Sequence, residues 1–151
     1  NGSNEDRGVL STHIHSDGDY YKLLWTNGGP STNGQAGYIE MEGADVFKHA
    51  VLRMAEAVQD SLTENNLDIS DIDWLVPHQA NIRIMDSVAK KLSIDKSKVV
   101  VTVDQHANTS AATIPMALAD AQSRQCLSSG DLISLTAMGG GFTWGSALIR
   151  W

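Results

Sequence analysis

Two apolar runs in this chain break abruptly into polar residues, and each polar stretch then leads into a helical pattern. The first is Trp74-Leu75-Val76-Pro77-His78-Gln79-Ala80-Asn81. The second is Val99-Val100-Val101-Thr102-Val103-Asp104-Gln105-His106-Ala107-Asn108-Thr109-Ser110. A strand that hands over to a helix is the building unit of α/β folds. In open sheets of that class, ligands sit beyond the carboxyl ends of the strands. His78 and Asn108 are therefore expected at two such ends. A third stretch, Met138-Gly139-Gly140-Gly141-Phe142, offers bare backbone N–H groups. A histidine, a carboxamide and a glycine turn can together stabilise an oxyanion. No nucleophile accompanies them.

The remaining pattern fits the same class. Val9–His15 reads as a short strand. Residues 16–43 are rich in Gly, Asn, Ser and Asp, too long for a plain connection, and are expected to form a functional loop or an insertion. Phe47, Val51, Met54, Val58 and Leu62 recur at three- and four-residue spacing, which predicts a helix over 44–66. A second helix is expected from about Asn81 to Ser93, with Ile82, Met85, Ala89 and Leu92 inward. The β-branched run Val99–Val103 predicts a strand. A third helix is expected over roughly 110–124. Thr109 or Thr113 could cap it, and Pro115 suits a first turn. Leu132–Ala137 and Phe142–Arg150 are expected as antiparallel strands joined by the glycine turn. The sum is an α/β domain with a mixed five-stranded sheet flanked by helices.

Charge and composition remove several classes. Hydrophobic residues make up 42% and charged residues 19% of the 151, which marks a globular chain. A net charge of −7 argues against general nucleic-acid binding. No apolar run reaches the length of a membrane span. The polar start, Asn1 to Gly8, has neither an initiator Met nor a signal-peptide core, so the chain is expected to begin inside a longer reading frame. The single cysteine, Cys126, excludes an internal disulfide, and a cytoplasmic location is expected. Arg83, Lys90, Lys91, Lys96 and Lys98 nevertheless outnumber Asp86 and Asp95 between 82 and 98. That patch is either the docking site of an anionic partner or a solvated helix face with an Asp86–Lys90 pair.

Taken singly, each motif has a plain alternative. His78 could satisfy a helix N-terminus rather than act in chemistry, and Asn108 before Thr-Ser is an ordinary turn residue. The triple glycine fits neither a dinucleotide fingerprint nor a phosphate loop. It is a tight turn, either for close approach to a ligand or for a hairpin. His13 and His15 share a strand face, but no carboxylate or cysteine cluster completes a metal site, and no metal is expected. His49 and His106 carry no distinct signal. Cys126 lies at a helix end whose dipole disfavours a thiolate. Ser146 lacks a nucleophile elbow.

Together the segments closely resemble β-ketoacyl-[acyl-carrier-protein] synthase III. The likeness lies in Trp74–Asn81, Asn108-Thr109-Ser110-Ala111-Ala112 and Gly139-Gly140-Gly141-Phe142-Thr143-Trp144-Gly145-Ser146. Ser11–Gly18 and Val46-Phe47-Lys48 match too. The resemblance runs along nearly the whole chain but covers only the C-terminal half of that enzyme. It implies a thiolase-like half, residues 1–151 forming the C-terminal domain. The N-terminal half, which in the family carries the nucleophilic cysteine, has no counterpart here, and Cys126 does not match it. The chain alone is therefore expected to be inactive.

The resemblance also implies a chemistry: initiation of fatty-acid synthesis by decarboxylative condensation of acetyl-CoA with malonyl-[acyl-carrier protein]. By residue match, His78 and Asn108 would hydrogen-bond the malonyl thioester oxygen, and Gly140 N–H would serve the oxyanion of the acyl-cysteine step. Ala80, Asn81, Phe47 and Met138 would line the substrate and coenzyme A tunnel. Lys48, Arg83, Lys90 and Lys91 would dock the acidic acyl carrier protein. No cofactor is implied beyond the substrates. The partners implied are acyl carrier protein, coenzyme A thioesters, the other half of the enzyme and a second copy in a homodimer, with no nucleic acid and no membrane. Three positions depart from the family pattern: Ala107 stands for the usual Gly, Met138 for a frequent Phe, and Ala44 for a common Asn. A related starter enzyme of polyketide synthesis and a non-catalytic carrier- or coenzyme-binding half are the alternatives.

Overall fold

The computed structural model describes residues 7–151, so the polar opening segment lies outside the described residues. Four strands form the main sheet, in the order β1-β6-β5-β4: β1 (Gly8–Ser16), β6 (Thr143–Arg150), β5 (Leu132–Gly139) and β4 (Trp74–Pro77). β4 runs parallel to β5, and the other pairings are antiparallel. β5 and β6 form the expected hairpin, Gly139 opposite Thr143.

Alternation along the strands sorts the core into two faces. Leu75, Leu132 and Leu148 point to one side and pack with Met54, Val58 and Leu62 of α1 (Gly43–Glu64) and Ile84 and Val88 of α2 (Ile82–Leu92). Their neighbours Val76, Ile133 and Ile149 point to the other side, toward Ala117 and Ala121 of α4 (Thr113–Ser123). The stretch between Gly18 and Met41 is not a plain loop. It forms a 3-10 helix, Gly18–Leu23, and a small antiparallel hairpin of β2 (Leu24–Thr26) and β3 (Ile39–Met41).

The inner helix stripes differ from the sequence expectation. α1 buries Ala50, Ala57 and Ser61 as well as Met54, Val58 and Leu62, while Phe47 and Val51 are only half-buried. Its small residues let the sheet come close. Thr136 Oγ1 donates to Met54 O at 3.0 Å and Ser146 Oγ to Ala57 O at 2.6 Å. In α2 the inner face is Ile84, Met85, Val88, Ala89 and Leu92, and Ile82 is 46% exposed.

The fifth strand does not form. Val99 makes one isolated parallel bridge to Leu75, and Val100 N donates to Leu75 O at 3.0 Å. Gln79 then takes over the backbone. Its Oε1 accepts from Thr102 N at 2.8 Å and Val103 N at 3.2 Å, and α3 (Val103–His106) begins there. A buried carboxamide thus outcompetes the strand preference of a valine run. The third helix starts later than expected. Ser110–Ala112 is a 3-10 turn, and α4 follows with Ala112 at its cap and no side-chain cap bond, so neither threonine caps it.

Candidate active site

β4 delivers His78 to the edge of the sheet. Its N–H donates to Thr136 O at 2.8 Å, which extends the parallel pairing by one residue, and its carbonyl accepts from Ala80 N at 2.9 Å. The backbone is therefore held from both sides, and only the ring is left to turn. Nδ1 of the ring lies 2.7 Å from Thr113 Oγ1. Partial burial pushes the imidazole pKa below its ordinary value, because the charged form loses hydration. Burial thus favours the uncharged ring.

Gln79, the next residue, is 1% exposed and fully bonded. Besides the two amides it receives, its Nε2 donates to Pro77 O at 2.9 Å and Val100 O at 3.1 Å. One side chain thus ties the segment that ends in His78 to the segment that leads to Asn108. The sequence reading gave this glutamine no role. It stands between His78 and Ala80 in the polar stretch, with no local signal of its own.

Asn108 follows Ala107, whose backbone has φ 55° and ψ −164°. The Asn108 Oδ1 accepts from Ser110 N at 2.9 Å. That bond commits the oxygen and leaves the Nδ2 amide, the donor end, for a ligand. His78, Asn108 and Gly140 line one cavity of about 730 Å³. Met138 lines it too, with Leu24, Trp25 and Ile39 as its apolar wall. A Cβ on Gly140 would stand 2.8 Å from the Leu24 carbonyl oxygen, so only glycine lets β2 lie against this turn. The hairpin residues were invisible to sequence reasoning, because three-residue strands carry too little periodicity to register.

The expected tunnel residues divide. Phe47 and Asn81 line a second cavity of about 810 Å³, together with Met41, Ile82, Lys48 and Arg83. Ala80 packs against the core shared by α1 and α2 instead. Asn81 also caps α2, its Oδ1 accepting from Ile84 N at 3.0 Å. The two cavities are neighbours: Ile39 and Met41 of β3 face one each, as do His78 and Asn81.

The expected docking residues are exposed. The Arg83 guanidinium lies over the Phe47 ring, 5.6 Å from its centroid. Lys48 is ion-paired with Asp45 at 3.0 Å. Asp86 pairs with Lys96 at 2.6 Å rather than with Lys90. Among the described residues, neither Lys90 nor Lys91 has a carboxylate within ion-pair distance.

Other singled-out residues have structural work. His13 and His15 face Glu64 and Asp60 of α1, each at 3.5 Å, and His15 stacks on Trp144. Ser146 is spent on Ala57 O, and Cys126 is half-buried after α4. The chemistry available in the first cavity is hydrogen-bond donation to an oxygen that gains negative charge, with an apolar wall opposite.

Known proteins share this architecture. The profile of the 3-oxoacyl-[acyl-carrier-protein (ACP)] synthase III C-terminal family matches residues 62–151. The β-ketoacyl-[acyl-carrier-protein] synthase III of Rhodospirillum centenum is 56% identical over 146 residues, 97% of this chain and 45% of that protein. That of Paramagnetospirillum magneticum is 56% identical over 149 residues, 99% of this chain and 46% of its own. Among solved structures, the 3-oxoacyl-[acyl-carrier-protein] synthase III of Aquifex aeolicus superposes with a TM-score of 0.91 at 39% identity, covering 99% of this chain and 46% of the other. The Pseudomonas aeruginosa PAO1 enzyme gives 0.92 at 38%, covering 100% and 47%. The chain spans about half the length of the curated relatives it matches.

Proposed function

The chain belongs to the 3-oxoacyl-[acyl-carrier-protein] synthase III family, whose C-terminal part it matches with a thiolase-like half fold, and from that premise we propose that it supplies the decarboxylation site of a condensing acyltransferase. The reaction is the condensation of an acetyl group, taken from coenzyme A, with malonyl-[acyl-carrier protein]. The acetyl group waits as a thioester on a cysteine that has no match among these residues. Loss of carbon dioxide from the malonyl thioester leaves an electron pair on carbon and charge on the thioester oxygen. His78 Nε2–H and Asn108 Nδ2–H donate to that oxygen. The carbanion then attacks the acyl carbonyl, and the cysteine sulfur leaves with the electron pair. Gly140 N–H holds the oxyanion of that step.

Donors fixed in advance are worth most where charge develops in a site with little water. A neutral imidazole is needed, and partial burial favours one. The second cavity, rimmed by Asn81, Phe47 and Arg83, would take the pantetheine arm shared by coenzyme A and the carrier protein. A cytoplasmic homodimer completes the reading. The observation that supports it is the meeting of His78, Asn108 and Gly140, far apart along the chain, in one cavity.

The test is His78→Ala in a complete protein carrying this chain. Acetyl transfer from acetyl-CoA should persist while malonyl decarboxylation falls by about a hundredfold or more. Decarboxylation at the wild-type rate would refute the role of His78.

A further inference from the structure

The His78 ring can help a charging oxygen only if it carries its proton on Nε2. Its sole side-chain partner among the described hydrogen bonds is Thr113 Oγ1, 2.7 Å from Nδ1. The hydroxyl has one proton and two places to put it, because the Ser110 carbonyl oxygen lies 2.9 Å away. If the proton points to Ser110, Nδ1 must be the donor to Oγ1, and Nε2 turns a bare lone pair to the ligand. If it points to Nδ1, the ring keeps its proton on Nε2.

We propose that Thr113 is the positioning residue that holds His78 in the Nε2–H tautomer by donating its hydroxyl proton to Nδ1. Ser110 O already accepts the backbone N–H of Thr113 itself, so that carbonyl is satisfied without the hydroxyl. Nδ1 has no such second source. Thr113 is 2% exposed, which keeps water from replacing it. It is also the first residue of α4, so the helix fixes where its oxygen stands. Burial disfavours the imidazolium form, which leaves the choice between the two neutral tautomers as the one that matters. The assignment rests on the proposed role of His78.

The experiment uses the complete protein labelled with 15N-histidine. Long-range 1H–15N spectra at neutral pH read the His78 tautomer directly, with His78→Asn assigning the signals. Wild type should show a protonated Nε2 and a bare Nδ1. Thr113→Val keeps the shape but removes the hydroxyl. It should release the ring, so that a protonated-Nδ1 population appears. Malonyl decarboxylation should then lose about tenfold in kcat with little change in KM, the worth of about one hydrogen bond. Thr113→Ser should restore both readouts. A protonated Nδ1 in wild type would overturn the proposal, even if the valine variant failed to fold. So would a valine variant with the wild-type tautomer and turnover. A wild type that has the Nε2–H tautomer yet never decarboxylates a malonyl thioester supports the role of the hydroxyl and overturns the functional reading instead.

Discussion

At Ala107 the resemblance implies glycine, and the backbone gives a physical reason for one. At φ 55° and ψ −164°, a Cβ is held in a conformation that L-residues avoid. Such strain costs on the order of 1–3 kcal/mol, part of which glycine gives back through the greater freedom of its unfolded chain. Ala107→Gly should therefore raise stability by about 1 kcal/mol, read as a higher urea midpoint at unchanged m-value. A lower midpoint would mean that the alanine methyl group contributes packing that outweighs the strain. His78 gives a second prediction at this scale. Its folded pKa lies below the ordinary value of about 6.5, so the unfolded chain binds the proton more readily. The stability this group allows is whole above that ordinary value and is lost as pH falls through the lowered one. The urea midpoint of His78→Asn should thus fall less between about pH 7.5 and about pH 5 than that of wild type. Parallel losses in both proteins would show that burial does not shift this imidazole.

Among the elements, β4 and the segment before α3 are joined by one short backbone bridge and by the Gln79 side chain. Gln79→Met keeps the length of the side chain but leaves two amides and two carbonyls without their partner. Unpaired buried groups cost about 1–3 kcal/mol each where water cannot reach them, so we expect a loss of about 3 kcal/mol or more. Hydrogen exchange should quicken first at Thr102 and Val103. Uniform exchange changes across α1 would instead mean that Gln79 acts through the whole core. The same residue marks the limit of what sequence could reveal. The periodic elements were legible: β1, α1, α2 and the β5–β6 hairpin all follow from spacing. The two apolar-to-polar breaks were legible, because such a break needs no partner to be seen, but only the one at His78 ends a strand; Asn108 follows α3 instead. The valine run was misread because its fate lies in a carboxamide twenty residues earlier in the chain. The inner stripe of α1 was misread because alanine and serine bring the helix close to the sheet without looking apolar enough to count. Thr113 was weighed only as a cap, since nothing local reveals that its hydroxyl meets an imidazole from another element.

The whole molecule carries a net charge of −7, yet one end of α2 and the rim of the second cavity are basic. Arg83 and Lys90 stand two turns apart on α2, about 10 Å along the axis. The solvated-face reading of this stripe came with an Asp86–Lys90 pair, and Asp86 is committed to Lys96 instead. Lys48 is already answered by Asp45, so it should contribute less than the other three. Against the net negative charge of this chain, the stripe would favour the approach of an acidic carrier, which makes the patch a matter of encounter rate more than of contact energy. Replacing Arg83 and Lys90 together by glutamate in the complete protein should lower kcat/KM for carrier-protein substrates by about tenfold or more at low salt. The difference from wild type should shrink as the Debye length falls toward about 3 Å near 1 M salt. Use of coenzyme A thioesters should change far less, because a small ligand reaches the cavity without covering the helix. Equal losses with both substrates would instead place Arg83 in the pantetheine passage, held over Phe47, and leave the rest of the stripe as a solvated helix face.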